Sequence, residues 1–318
     1  MRIAILLGLL IGFKATSQIP PTLVTERSIV ILDLPLEKKG EFLVRGNWKE
    51  QATKIQSNLS IMGIDAIGYL HIDDWEASQS SKESYQLFFA QRMVKHRILV
   101  SKNASSLFEL SIMPLTKNEI EWKTEAGSIN QAFLRLGQDI KKAGHPIENF
   151  LSPTNAEIFV DIPFTKYSAS TNYPDQIRRL TLGVARHPNE KDNEKLVEIM
   201  SDYPFQYELF DYTDDDDAFR QGYQYILVSM STSGSSVKKL LNFRTTGSNE
   251  TDYISTVKGD STDTRLKTIP VNALVHKYYF RQTVNHEVFV GKEWDADVSW
   301  EKSLENFILN LRIAFKRI

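Results

Sequence analysis

Four side chains able to do chemistry stand where an α/β sheet would place it. Asp33 closes an apolar run from Ser28 to Pro35, and His71, Asp73 and Asp74 lie at the end of another that starts at Ala66. Crevices at the carboxyl ends of strands are where open α/β sheets bind ligands. Paired carboxylates there could hold Mg²⁺ or exchange protons. His71 and Asp73, two apart on a strand, share one face and form a candidate metal pair. Asp211 holds a comparable place in the second half of the chain. The competing reading is plain: acidic residues end strands and cap helices in most folds.

A second candidate is the stretch YQYILVSMSTSGSS, Tyr223 to Ser236, in which an apolar strand runs into small hydroxyl residues and then Val237, Lys238 and Lys239. A strand feeding small residues into a helix can cradle a phosphate on backbone N–H groups. Ser231, Ser233 and Gly234 would be the contacts. The run Ser231-Thr-Ser-Gly-Ser-Ser resembles the Ser-x-Ser-Gly loop of sugar-phosphate isomerase (SIS) domains over about a dozen residues. It is equally a hairpin turn with Gly234 supplying a positive φ. The first half favours the turn, because Arg97-Ile-Leu-Val-Ser is followed by Leu107 to Met113, whose alternation is that of another strand. Neither Gly-x4-Gly-Lys-Ser/Thr nor Gly-x-Gly-x-x-Gly occurs.

Other chemistry is weaker. Asp214 to Asp217 lacks the Asp-x-Asp-x-Asp-Gly spacing of a calcium loop and suits a helix N-terminus, where the macrodipole favours carboxylates. His276 and His286 could face each other near the ends of a hairpin, yet no carboxylate completes a zinc set. No Gly-x-Ser-x-Gly elbow appears. Tyr278, Tyr279, Phe280, Trp294 and Trp300 read as core packing. No cofactor is implied and no metal set is complete.

The elements that must position these groups alternate. Trp48, Ala52, Ile55, Leu59 and Met62 mark one face of an amphipathic helix, with Gly63 at its C-cap. A second helix is expected from about Ser81 to Val94, and Ser128 opens a third. The second half repeats the order: a strand at Arg179, a helix from Asn193 to Tyr203, a strand at Gln206, a short helix from Asp214 to Gln221, the strand at Tyr225, and a last helix from Ser299. Ile-Leu-Val-Ser occurs at Ile98 and again at Ile226, and Tyr69 to Asp73 matches Tyr207 to Asp211. Ile129, Phe133, Leu136 and Ile140 share their spacing with Trp300, Leu304, Phe307 and Leu311. The expectation is α/β: mixed, mainly parallel sheets with added hairpins, in two similar strand-helix-strand halves in tandem. Boundaries are expected at 28–167 and 177–318, with a linker at 168–176 and a polar loop at about 245–264.

Residues 1–17 carry Arg2, an apolar run of about 11 residues that is too short to span a bilayer, and Ala15 and Ser17 ahead of Gln18. This is the pattern of a secretory signal peptide. The 318 residues contain no cysteine, which excludes disulfides, a thiol nucleophile and a lipid-anchoring cysteine. A disulfide-free exported chain suits the bacterial cell envelope, in the periplasm or outside the cell. A net charge of −2 argues against a nucleic-acid surface, and no segment after the first is long enough for a membrane span. The strand-helix layout, with Tyr207-Glu-Leu-Phe-Asp-Tyr and Tyr225-Ile-Leu-Val-Ser, is similar to periplasmic accessory proteins of the CsgG and LpoB type. That likeness implies a non-enzymatic binding or assembly module partnered by an envelope protein or a small ligand. The alternative is an enzyme or sensor for a phosphate or nucleotide ligand, using residues 229–236 and the strand-end carboxylates.

Overall fold

The computed structural model describes residues 18–145, 157–158, 169–243, 253–258 and 265–316. The expected signal peptide, residues 1–17, lies outside them. The first half runs β1 (Arg27–Asp33), the small hairpin β2 (Glu37–Lys39) and β3 (Phe42–Val44), then α1 (Trp48–Ile61) and β4 (Asp65–His71). It continues through a single turn, α2 (Ile72–Trp75), then α3 (Gln79–Gln91), β5 (Val94–Lys102), β6 (Phe108–Pro114), β7 (Trp122–Ala126) and α4 (Ile129–Ala143). The two-residue strand β8 (Glu157–Ile158) follows. The second half runs β9 (Leu182–Ala185), α5 (Glu190–Met200), β10 (Tyr207–Phe210), α6 (Asp215–Arg220), β11 (Tyr225–Ser233) and α7 (Gly234–Leu240). After the hairpin β12 (Tyr253–Lys258) and β13 (Arg265–Pro270) come β14 (Leu274–Gln282), β15 (Val288–Phe289) and α8 (Trp300–Lys316).

Sequence logic accounts for the helix ends. Asn47 caps α1 through the Glu50 amide, and Ser128 caps α4 through the Gln131 amide. Ala52, Ile55 and Leu59 are buried along α1. The aspartate run behaves as the macrodipole argument requires, with the Asp214 carboxylate accepting the Asp217 amide at 2.7 Å.

The two main sheets are both mixed α/β and share one connection order. Sheet one is ordered β7-β6-β5-β1-β4-β8 and sheet two β10-β9-β11-β14-β15. In each, the first strand lies between the second and third, parallel to both, and the fourth and fifth are added antiparallel. The Ile98 and Ile226 tetrapeptides fall on equivalent strands. The other match does not keep step. Val30 pairs with Tyr69 and Ile98, whereas Gly183 pairs with Glu208 and Ile226. Aligning the two isoleucines therefore sets Tyr69 against Glu208, one residue from the expected Tyr207. Shared topology is the finding; common descent by duplication does not follow from it.

Alternation along the strands splits the core into layers. On β1, Val30 and Leu32 face the outer core with α1 and α4, while Ile29 and Ile31 face inward. On β14, Tyr278 and Phe280 face α8, while Val275 and Tyr279 face inward. Both inward faces, with Tyr85 and Phe89 of α3 and Val237 and Leu240 of α7, form one shared core between the sheets. Each such side chain buried adds about 1.5–3 kcal/mol. Main-chain bonds cross the same seam: the Ser231 amide donates to the Ala77 carbonyl at 2.9 Å and the Arg45 amide to the Asn272 carbonyl at 3.2 Å.

Three expectations need correction. Ser231 to Ser236 is not a hairpin turn: β11 continues to Ser233 and Gly234 opens α7. Ser233 caps that helix through the Ser236 amide, and Val237 and Leu240, three apart, anchor it in the shared core. The first-half counterpart does turn, between Lys102 and Phe108, so the inference by analogy failed where the second half carries its insertion. Within the polar stretch expected as a loop, residues 253–258 form β12, paired antiparallel with β13; residues 245–252 and 259–264 lie outside the described residues. Finally, His276 and His286 do not face each other. His276 sits in the β14 ladder opposite Ser231, and His286 binds the Asp215 carboxylate at 2.6 Å.

Candidate functional site

The chain leaves β4 and turns at once into α2, which carries Asp73 and Asp74 off the end of sheet one and packs against β11. Arg45 arrives from the opposite direction. It follows β3, pinned to the second half by a bridge between Val44 and Ala273 and by the Asn272 side-chain amide, which donates to the Arg45 carbonyl at 3.3 Å.

The buried Arg45 guanidinium uses all five of its N–H donors. Nη1 and Nη2 donate to the two oxygens of Asp74 at 2.8 and 2.9 Å. Nε donates to Asp73 Oδ2 at 3.2 Å, Nη1 also to Ser236 Oγ at 3.4 Å, and Nη2 also to Thr232 Oγ1. Thr232 Oγ1 passes its own hydrogen to Asp74 Oδ1 at 2.7 Å. The planar fork meeting one carboxylate is the strong bidentate form of this pair. One arginine and two aspartates of the first half are thereby tied to two hydroxyls of the second.

His71 and Asp33 lie behind this knot. His71 Nδ1 is 3.1 Å from Asp73 Oδ2, and its ring meets Trp48 edge-on with centroids 5.7 Å apart. Burial pushes the Asp73 carboxyl up, but the hydrogen bonds and charges of His71 and Arg45 outweigh it and hold the group below the usual range. At the tip of β1, Asp33 goes the other way. Burial raises it, His71 opposes that, and Asp73 adds to it.

Of the residues expected to act together, Asp33, His71, Asp73 and Asp74 do gather at the end of sheet one. Asp211 does not join them: its side chain is 91% exposed, with Arg186 at 3.7 Å. The Ser231 amide is bonded across the seam to the Ala77 carbonyl, and Ser231 is absent from the wall of the cavity described next. Gly234 is buried and Ser233 lines the cavity described next.

That cavity, of about 240 Å³, opens beside the knot. The first half supplies Arg45, Gly46, Asn47, Trp48 and Lys49 to its wall; the second supplies Ser233, Ser235, Ser236, Lys239 and Asn272. Amides at the start of α7 do not serve it. The Gly234 and Ser235 amides donate to the Ala273 and Val271 carbonyls at 3.1 and 2.9 Å, and the Ser236 amide to Ser233 Oγ at 3.3 Å. A backbone phosphate cradle is therefore not what this segment forms.

Among the described residues, no three or more histidine, aspartate or glutamate side chains are grouped to hold a metal ion. None of their helices is long and apolar enough to cross a membrane. Sequence reasoning missed Arg45, Lys49 and Asn272, named Lys239 only as following the hydroxyl-rich stretch, and took Trp48 only as a helix-face residue. Thr232 and Ser236 belonged to the hydroxyl-rich stretch already singled out, but Arg45 carried no local signal.

No protein-family profile, curated protein or solved structure matches the chain. The likenesses to SIS domains and to CsgG- and LpoB-type proteins therefore rest on the quoted segments alone.

Proposed function

We propose that this chain is an exported, non-enzymatic binding module of the cell envelope, and that its small ligand occupies the cavity between the two halves. One observation carries the reading: both halves build that cavity around an arginine whose donors are all committed to protein partners. Acid–base catalysis needs a group poised to exchange protons near neutral pH. Asp73 and Asp74 instead accept hydrogen bonds from a permanent cation and brace the wall. Export is supported by the charge, apolar run and small residues of positions 2–17.

The test is a thermal-shift screen of small metabolites with the mature protein. A ligand held only by the folded state at a hundredfold excess over its Kd adds about 2.7 kcal/mol. A bulky Ser235→Trp variant, filling the cavity from its partly exposed rim, should fold normally and lose the shift. A hit that persists in that variant places the ligand elsewhere. Export is checked separately by N-terminal sequencing, with Gln18 as the expected first residue; an intact chain retained in the cytoplasm contradicts it.

A further inference from the structure

The strand at the centre of the shared core also carries a lysine with no exposed surface. Lys277 on β14 and Asp295, in the segment between β15 and α8, are both fully buried. Lys277 Nζ donates to the Tyr278 carbonyl at 2.8 Å and to the Val290 carbonyl at 3.0 Å. Asp295 Oδ1 lies 2.6 Å from the same nitrogen, yet it accepts no hydrogen bond among the described residues. The contact is close without an N–H aimed at the oxygen. Two N–H groups spent on carbonyls, and a third side turned to a carboxyl, are the valences of a neutral amine whose lone pair faces Asp295.

The surroundings favour that neutral form, because taking two ions out of water is costly even when they are paired. Burial pushes the Lys277 amine down and the Asp295 carboxyl up, each against the pull of its partner's charge. Both shifts move the pair toward amine and carboxylic acid. Phe307 closes one side, its ring centroid 5.2 Å from Nζ. On α8, Asn310 Nδ2 donates to Asp295 Oδ2 at 3.3 Å, and Asn306 Nδ2 donates to the Asp295 carbonyl at 3.4 Å. The carboxyl is thus fixed through one oxygen and through its backbone while the other oxygen rests against the amine. Groups held in reacting contact behave as if present at about 10⁵–10⁸ M.

We infer that Lys277 and Asp295 condense into an intrachain amide that ties β14 to the segment before α8. The Nζ lone pair attacks Asp295 Cγ and forms the N–C bond. The carbonyl electrons move onto Oδ2, where the Asn310 N–H holds the developing charge. A proton then passes from Nζ to the Oδ1 hydroxyl, the Cγ–Oδ1 bond breaks, and the carbonyl re-forms. One water leaves, and nothing is oxidised or reduced. The product nitrogen keeps one N–H for one of its two carbonyl acceptors. In a chain with no cysteine, this bond closes the loop through β15 as a disulfide would, and no reductant opens it.

The experiment digests the full chain with trypsin under denaturing conditions and weighs the products by mass spectrometry. Cleavage after Lys277 should be blocked, and one branched peptide should join residues 268–281 to residues 293–302. Its mass should fall short of the two segments by one water, with fragment ions placing the link at Lys277 and Asp295. Lys277→Arg keeps a cation but offers no amine, and should release the two segments separately at full mass. Asn310→Leu removes the donor to Oδ2 and should slow linkage about a hundredfold, the effect of losing one oxyanion donor, in protein sampled at intervals after synthesis. Separate, full-mass segments from the wild type overturn the proposal, whatever the variants do. A link that ends at Asn310 with loss of ammonia overturns the assignment to Asp295. A deficit of one water that persists in Lys277→Arg places the loss elsewhere and overturns it too.

Discussion

Arg45 and Asp74 face each other through two parallel hydrogen bonds of 2.8 and 2.9 Å, and Thr232 of the second half closes the ring by donating to the same carboxylate. Removing one member of such a buried pair leaves the other charge without compensation, a loss of about 3–5 kcal/mol. Arg45→Met should therefore destabilise the protein by that order in urea unfolding. Arg45→Met combined with Asp74→Leu should recover much of it, because no orphaned charge remains at position 74. A double variant no more stable than Arg45→Met would show that the pair does not carry the seam.

Two carboxylates at the end of sheet one should respond to pH with opposite signs. Asp73 is held below the usual range in the folded protein. Its contribution is in force above the unfolded value of about 3.9 and is lost as pH falls through the folded value. Asp33 is raised by burial, so its contribution is full below that unfolded value and is lost as pH rises through the folded one. Asp73→Asn should cost stability at neutral pH and progressively less in acid. Asp33→Asn should instead gain stability at neutral pH relative to wild type. Denaturation midpoints of the two variants measured across the acid range check both signs; parallel profiles would contradict the assignment.

Gly183, on β9 between β10 and β11 of sheet two, is a packing requirement. A methyl group there would come within 2.8 Å of the Tyr223 ring and 2.9 Å of Phe210. Overfilling a close-packed site costs about 1–3 kcal/mol, so Gly183→Ala should lower the melting temperature while the far-ultraviolet circular dichroism is unchanged. Shortening the obstruction with Phe210→Leu in the same chain should recover part of the loss.

What could be read in advance was local. The spacing of Ala52, Ile55 and Leu59 located α1 because one helical face needs no distant partner to declare itself. Asp214 to Asp217 declared a helix start for the same reason, and the strand ends at Asp33 and His71 located one end of a sheet. The fate of Ser231 to Ser236 was not local. A serine before glycine suits a turn or an N-cap equally, and burial of Val237 and Leu240 against the first half decided between them. Arg45 was invisible for a stronger reason: its partners lie 29, 187 and 191 positions away. Position of the acidic pair was legible; its neutralisation was not.

The inward faces of the two sheets meet in a single apolar interior, with Ile29 and Ile31 on one side and Val275 and Tyr279 on the other. Evolution cannot trade such parts piecemeal. A recombination delivering either half without its companion would deliver a bare greasy surface, so the pair must be inherited and degraded as one.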